Sequence, residues 1–240
     1  MKKALFVLLT AVATGVSAAA AAEDWLAPFV AEYDVKYGSL PVGSSRTKLF
    51  RAAASNQWVI ELRSTASGLA KLIASGTLAQ HSSFELDATG LRPLSYRFDD
   101  GTKRRARDVE LQFDWHNGRI TGTAEGSTVD LPVAPGLQDA ASIQASVLFH
   151  LRRGAEPGTI AMIEKDRVKH YDYTLLRRER LPTTLGVVDT VVYRSARDGS
   201  GRETLFWYAP ALGYVTVKAE QRREGKRLFQ TYIRRFQPGA

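Results

Sequence analysis

Cysteine is absent from all 240 residues, so no disulfide can staple the fold and no lipid-modified cysteine can anchor it. Histidine is scarce. His81, His116, His150 and His170 stand at least 20 residues apart, and none has a second histidine or cysteine at metal-ligand spacing. Neither a G-x-S-x-G elbow nor an H-E-x-x-H helix occurs, and no motif for a metal or a cofactor is present. Long apolar runs are missing too: the longest, Ala4 to Val16, has 13 residues, too few to span a bilayer. Internal repeats and low-complexity linkers are also lacking.

What is there begins with an export signal. Met1-Lys2-Lys3 gives a positive start, Ala4 to Val16 an apolar stretch, and Ala20-x-Ala22 a small-residue cleavage pattern before acidic Glu23-Asp24. Residues 1–22 are therefore expected to be a cleaved signal peptide, and residues 23–240 a single periplasmic domain, large enough for one sizeable core. The formal charge of +8 falls to about +6 without Lys2 and Lys3. For an exported protein such a surface suits anionic lipid, lipopolysaccharide or acidic glycan rather than nucleic acid; the bland alternative is that the charge only aids solubility.

Period-2 alternation dominates the chain after the signal. It runs through Phe29, Ala31, Tyr33, Val35 and Tyr37, then Trp58, Ile60 and Leu62, then Leu94, Tyr96 and Phe98, and then Val109 to Trp115, which His116-Asn117-Gly118 closes as a hairpin turn. Gly122 to Gly136 reads as one edge strand followed by a proline-punctuated loop. Further strands are expected over 159–164, 168–177, 187–194, 203–208, 214–219 and 227–236. One helix is clear: Asp139 precedes Ala140 to Arg153, in which Ile143, Val147, Leu148 and Leu151 recur at helical spacing, and Gly154 follows. Gly68 to Ala74 could be a short helix or an irregular crossing. The expected fold is mainly β: a single antiparallel β-barrel-like domain of about ten strands with one covering helix, because that many strands in an open sheet would leave long bare edges.

The ordered set of Phe29-Val30-Ala31-Glu32-Tyr33-Asp34-Val35, Gly90-Leu91-Arg92-Pro93-Leu94-Ser95-Tyr96, Phe113-Asp114-Trp115, Asp139 with its helix, Tyr171-Asp172-Tyr173, Thr184-Leu185-Gly186 and Trp207 to Tyr214 resembles the exported bacterial family DUF3108. The resemblance implies a β-barrel-like periplasmic protein. It brings no activity, substrate or catalytic residue to transfer.

Ser45-Arg46-Thr47-Lys48 fits S-x-x-K, but in a strand positions i and i+3 point to opposite faces, and the partner motifs S-D-N and K-T-G are absent. Asp99 with Asp100, or Glu164 with Asp166, could divide acid and base roles in glycan cleavage, although both pairs sit at turns. The most informative stretch is Lys103, Arg105, Arg107, Val109, Leu111, Phe113 and Trp115. On one unbroken strand these residues would share a face, cationic at one end and apolar at the other, suited to an amphipathic anionic ligand. The plainer reading is a solvated tip followed by ordinary core. The leading expectation is a non-enzymatic periplasmic binder or escort of an amphipathic or anionic envelope component, lipid or glycan. The alternatives are a scaffold module of an envelope assembly and, third, an envelope glycan hydrolase.

Overall fold

The computed structural model describes residues 25–53, 57–68, 76–102, 105, 107–197 and 199–239. The signal-peptide expectation and most of the Gly68 to Ala74 candidate lie outside them. Fourteen strands form one antiparallel sheet. The first eight are β1 (Phe29–Tyr37), β2 (Leu40–Arg51), β3 (Trp58–Ala66), β4 (Thr77–Asp87), β5 (Gly90–Asp99), β6 (Val109–Asp114), β7 (Arg119–Ala124) and β8 (Ser127–Pro132). After helix α1 (Ser142–Arg152) come β9 (Gly158–Glu164), β10 (Arg167–Thr183), β11 (Gly186–Ala196), β12 (Arg202–Ala209), β13 (Val215–Arg223) and β14 (Lys226–Pro238). Sheet order runs from β8 down to β1, across to β14, and down to β9, so the first and last strands meet mid-sheet and β8 and β9 are the two edges.

Mainly β with one helix is what the alternation requires, but fourteen strands replace about ten. The alternation hid β4, whose inward Ser82 is fully buried as a hydrogen-bond donor to Asp139 Oδ2 (2.6 Å). The expected single strand after Gly122 is two, because Glu125-Gly126, both at positive φ, turn the chain between β7 and β8.

The sheet curls without closing, and two struts brace its wings across the opening. At one end the β7–β8 and β9–β10 turns are joined by Lys165 Nζ and Glu125 Oε2, 2.8 Å apart. At the other, Gln138 pairs with β9: its N–H donates to Ala161 O and its carbonyl accepts from Ile163 N, both at 2.9 Å. The Gln138 side-chain Nε2 reaches across to Leu91 O of β5 at 3.0 Å. The β9 edge, which would otherwise invite pairing with another chain, is thus occupied where Gln138 sits.

The helix is inside the curl rather than a cover on it. Ser142, Ile143, Ala145, Ser146, Val147, Leu148, Phe149 and Leu151 are all buried, almost the whole circumference. Its start is fixed by Asp139, whose fully buried Oδ1 accepts from the N–H groups of Ala141 and Ser142, each at 2.8 Å. Around the helix pack Trp58, Ile60, Phe84, Leu111, Ile120 and Leu49, each no more than 2% exposed. The interior is therefore filled. Between Tyr33, Ile60, Leu148, Tyr173 and Phe206 only about 30 Å³ remains open.

Candidate functional site

Space for a ligand lies where the helix reaches the mouth. Along α1, positions 148 and 152 share one face and positions 146 and 150 the opposite one, about 200° around the axis. The two faces wall two separate cavities. On the Leu148 and Arg152 side a cavity of about 480 Å³ is lined by Leu26, Phe29, Leu49, Leu212, Val215 and Phe236 among others. Here the chain entry, the end of β14 and the turn Pro210–Leu212 converge. On the Ser146 and His150 side a cavity of about 430 Å³ is lined by Thr89, Arg92, Trp115, Gln138 and Thr159 among others. The two share no wall residue.

Their chemistry differs. Arg152 is the one charged residue lining the first cavity. It lies against Gly213, where a β-carbon would come within 2.5 Å of Nη1 and where φ is +66°, so glycine serves both the left-handed turn and the close approach of the guanidinium. In the second cavity Arg92 is held by Asp87 at 3.0 Å and Glu85 at 3.7 Å. Hydrogen bonds from Thr89, with the charge of Arg92 behind them, keep the Asp87 carboxyl below its ordinary range. Burial, with the charge of Arg153, pushes the His150 imidazolium down, which leaves the ring neutral near pH 7. The Trp115 indole is fixed by its Nε1 donating to Pro93 O at 2.6 Å.

The model of a protein family of unknown function, DUF3108, matches residues 32–224. The chain belongs to this family. Among solved structures it is similar to a β-barrel-like protein of another domain of unknown function, DUF1849, from Brucella abortus, at 12% identity, covering 89% of this chain and 98% of that one with a TM-score of 0.57. A Bacteroides fragilis protein with a YmcC-like fold aligns at 10% identity over 88% of this chain and 96% of that one, with a TM-score of 0.38. No curated protein matches the sequence at a significant level. The first likeness shows the fold, barrel-like and open, in agreement with the braced sheet.

Within this DUF3108 chain the stretch proposed from sequence as a ligand face is divided. The strand begins only at Val109, so Lys103 to Trp115 is not one unbroken strand. Lys103 lies outside the described residues. Arg105 stands exposed in a loop at φ +51°, and Arg107 is an exposed turn residue 3.5 Å from Asp100. Two Asx turns and one longer bridge explain the break: Asp99 accepts from Gly101 N and Asp100 from Thr102 N and Oγ1, while Asp108 accepts from Asp100 N across the loop. Val109, Leu111 and Phe113 are buried core, and only Trp115 reaches a cavity. Sequence reasoning missed the mouth: the signals that could have found it are Gly213 in its Pro-x-x-Gly turn and the basic end of the helix, whereas Gln138 gives none.

The remaining candidates fall elsewhere. Ser45 and Lys48 lie in β2, three residues apart and hence on opposite faces. Asp99, Asp100 and Asp108 bring carboxylate oxygens within 4.8 Å of one another, beside Arg107. Glu164 is buried enough to resist ionising, yet Lys169 at 2.6 Å and Arg197 at 3.3 Å outweigh that and hold it below the ordinary range. Asp166 is lowered by hydrogen bonding to Arg167. An acid and base pair would need one carboxyl raised, and neither is.

Proposed function

We propose that this DUF3108 protein is an exported, periplasmic binder of an envelope amphiphile, taking the apolar chain into the larger mouth cavity with the anionic group toward Arg152. The observation that carries the reading is the cavity itself. Its volume of about 480 Å³ lies within the range of small-molecule sites, its walls are leucine, phenylalanine, proline and valine, and Arg152 is its single charge. A long acyl chain leaves water there, while a guanidinium offers paired donors to a phosphate or carboxylate.

The test is a titration with lysophosphatidylglycerols of increasing chain length beside uncharged maltosides of the same chains. Affinity should rise by about 0.8 kcal/mol for each CH₂ buried, and Arg152→Gln should weaken the anionic series alone. Affinity that ignores chain length and vanishes in high salt would reduce the contact to surface electrostatics and end the proposal.

A second reading, a docking module, is favoured by one exposed feature at the opposite end. Tyr37, Leu40 and Phe229 are 49%, 66% and 43% exposed, and the Tyr37 and Phe229 rings meet at 5.1 Å on adjacent hairpins. Leu40→Ser should abolish attachment to an envelope assembly and leave amphiphile affinity unchanged if docking is the role. Unchanged attachment would dismiss it.

A further inference from the structure

The second cavity holds an unmet hydrogen bond. Gln138 is 1% exposed, and its orientation is fixed because Nε2 donates to Leu91 O at 3.0 Å and Gly136 O at 3.4 Å. Turning the amide over would set oxygen against two carbonyl oxygens, so Oε1 must be the other atom. That Oε1 is the one buried side-chain polar atom without a partner among the described residues. Buried acceptors without donors are rare in folded proteins, and each calls for a reason. Gln138 lines the cavity, as do Leu91 and Gly136, to whose carbonyls it is tied.

The charges around the cavity narrow the class of ligand. Arg92 is already neutralised by Asp87 and Glu85, so the wall has no surplus cation for an anionic group. Those carboxylates are engaged in turn and stand outside the wall, which holds no acidic residue, so a cationic ligand has no counter-ion in it. The neutral His150 ring offers one donor and one acceptor, Ser146 offers a hydroxyl, the Thr89 hydroxyl, which donates to Asp87, can still accept, and the Trp115 ring is held in place by its bond to Pro93. Convergent donors and acceptors, with the one cation of the wall already paired, beside one fixed aromatic ring, suit a ligand that carries hydroxyl and amide N–H groups on an apolar ring face.

We infer that the cavity between β5, β9 and the Ser146 and His150 face of α1 is a binding site for a neutral saccharide, with an acetamido sugar the best match because its N–H can donate to Gln138 Oε1. The site stands apart from the amphiphile cavity, with which it shares no residue.

The experiment follows the four tryptophan indole N–H resonances of the full mature chain during titration with di-N-acetylchitobiose, maltose and inorganic phosphate. Trp115→Phe assigns the Trp115 signal. It should move saturably with di-N-acetylchitobiose at a dissociation constant in the millimolar range or tighter, more weakly with maltose, and not with phosphate. His150→Phe, which keeps the ring volume and removes both nitrogens, should weaken binding by about tenfold with the other indole signals unmoved, which reports an intact fold. Three results would overturn the proposal: no saturable movement with either sugar, equal affinity in His150→Phe, or phosphate binding more tightly than the sugars. A Trp115 signal that moves with lysophosphatidylglycerol and not with sugars would assign this cavity to the amphiphile instead, whereas failure of the amphiphile titration alone leaves the saccharide site standing.

Discussion

The two wings of the sheet obey different rules. In the wing from β1 to β8 one face meets the core and most of the other meets water, apart from the buried Val30 and Val59; β6 shows it plainly, with Val109, Leu111 and Phe113 buried and Glu110, Gln112 and Asp114 exposed. In the wing from β9 to β14 two strands, β11 and β12, are covered on both faces over much of their length. Phe206 and Tyr208 point to the helix side with Tyr33 and Tyr173, yet Trp207 between them is only 2% exposed on the outer side. Its neighbours there are Val192, across the ladder and fully buried, and Lys218, whose Nζ lies 4.1 Å from the indole centroid. The long hairpin of β10 and β11 makes the difference. It runs past the ends of its neighbours and leans over β14, where Thr184 Oγ1 donates to Ile233 O at 2.8 Å. Edge extension thus converts a half-solvated sheet into a doubly buried one without adding a layer.

The largest expected effect tests that second buried face. Trp207→Ala removes a buried aromatic from the outer side and the indole N–H that Glu179 accepts, and thermal or urea melts should show a loss of about 3–5 kcal/mol. A loss under about 1 kcal/mol would mean that the outer side is solvated as in the other wing.

Glu220 comes next, because it is 1% exposed among Arg222, Arg227 and Lys218. Burial alone would raise its pKa, but the hydrogen bond from Arg222 and the charges of Arg222, Arg227 and Lys218 outweigh burial and lower it. A lowered folded value gives stability that is present above the unfolded carboxylate range and lost as pH falls through the folded one. Glu220→Gln should therefore cost about 1–3 kcal/mol at pH 7, and the gap from wild type should close below about pH 4. A gap that stays constant down to acid pH would show that charge is not the cause. Smaller again, Thr184→Val removes the hydroxyl that ties the hairpin tip to β14, for about 0.5–1.5 kcal/mol in the same melts.

This contrast also governs what the sequence could reveal. Where one face is wet, alternation is clean, and Phe29 to Tyr37 and Val109 to Asp114 are legible as strands at nearly their observed limits. Where an inward residue is polar, as Ser82 is because it serves Asp139, the period breaks and β4 disappears from view. The helix was legible from its spacing, but its place inside the curl was not: apolar residues on most of its circumference signal burial without saying against what. The mouth was the least visible part. Each of its cavities is assembled from five separated segments, and Gln138 acts through a side-chain amide whose partners lie 47 residues away in sequence at Leu91 and two away at Gly136. No local pattern encodes such a meeting. The strand read from Lys103 to Trp115 is interrupted for a related reason, since period-2 spacing is uninformative across a loop where Asp99, Asp100 and Asp108 compete for the backbone N–H groups.

The smallest expected effect completes the comparison from the other wing. Gln112 is the counterpart of Trp207: a central residue of its strand, on the outer face, paired laterally with Ser95 of β5 and Thr121 of β7. It is exposed, so its amide is hydrogen-bonded to water before and after folding and its removal uncovers no apolar surface. The ladder itself uses only backbone groups and is untouched by alanine, whose weaker strand preference is the remaining cost. Gln112→Ala should shift stability by less than about 0.5 kcal/mol. Because Gln112 and Trp207 lie far apart in the sheet, the double variant should equal the sum of the singles within about 0.5 kcal/mol. A loss near that of Trp207→Ala would mean that the outer face of β6 is also covered, and with it the distinction between the wings would fall.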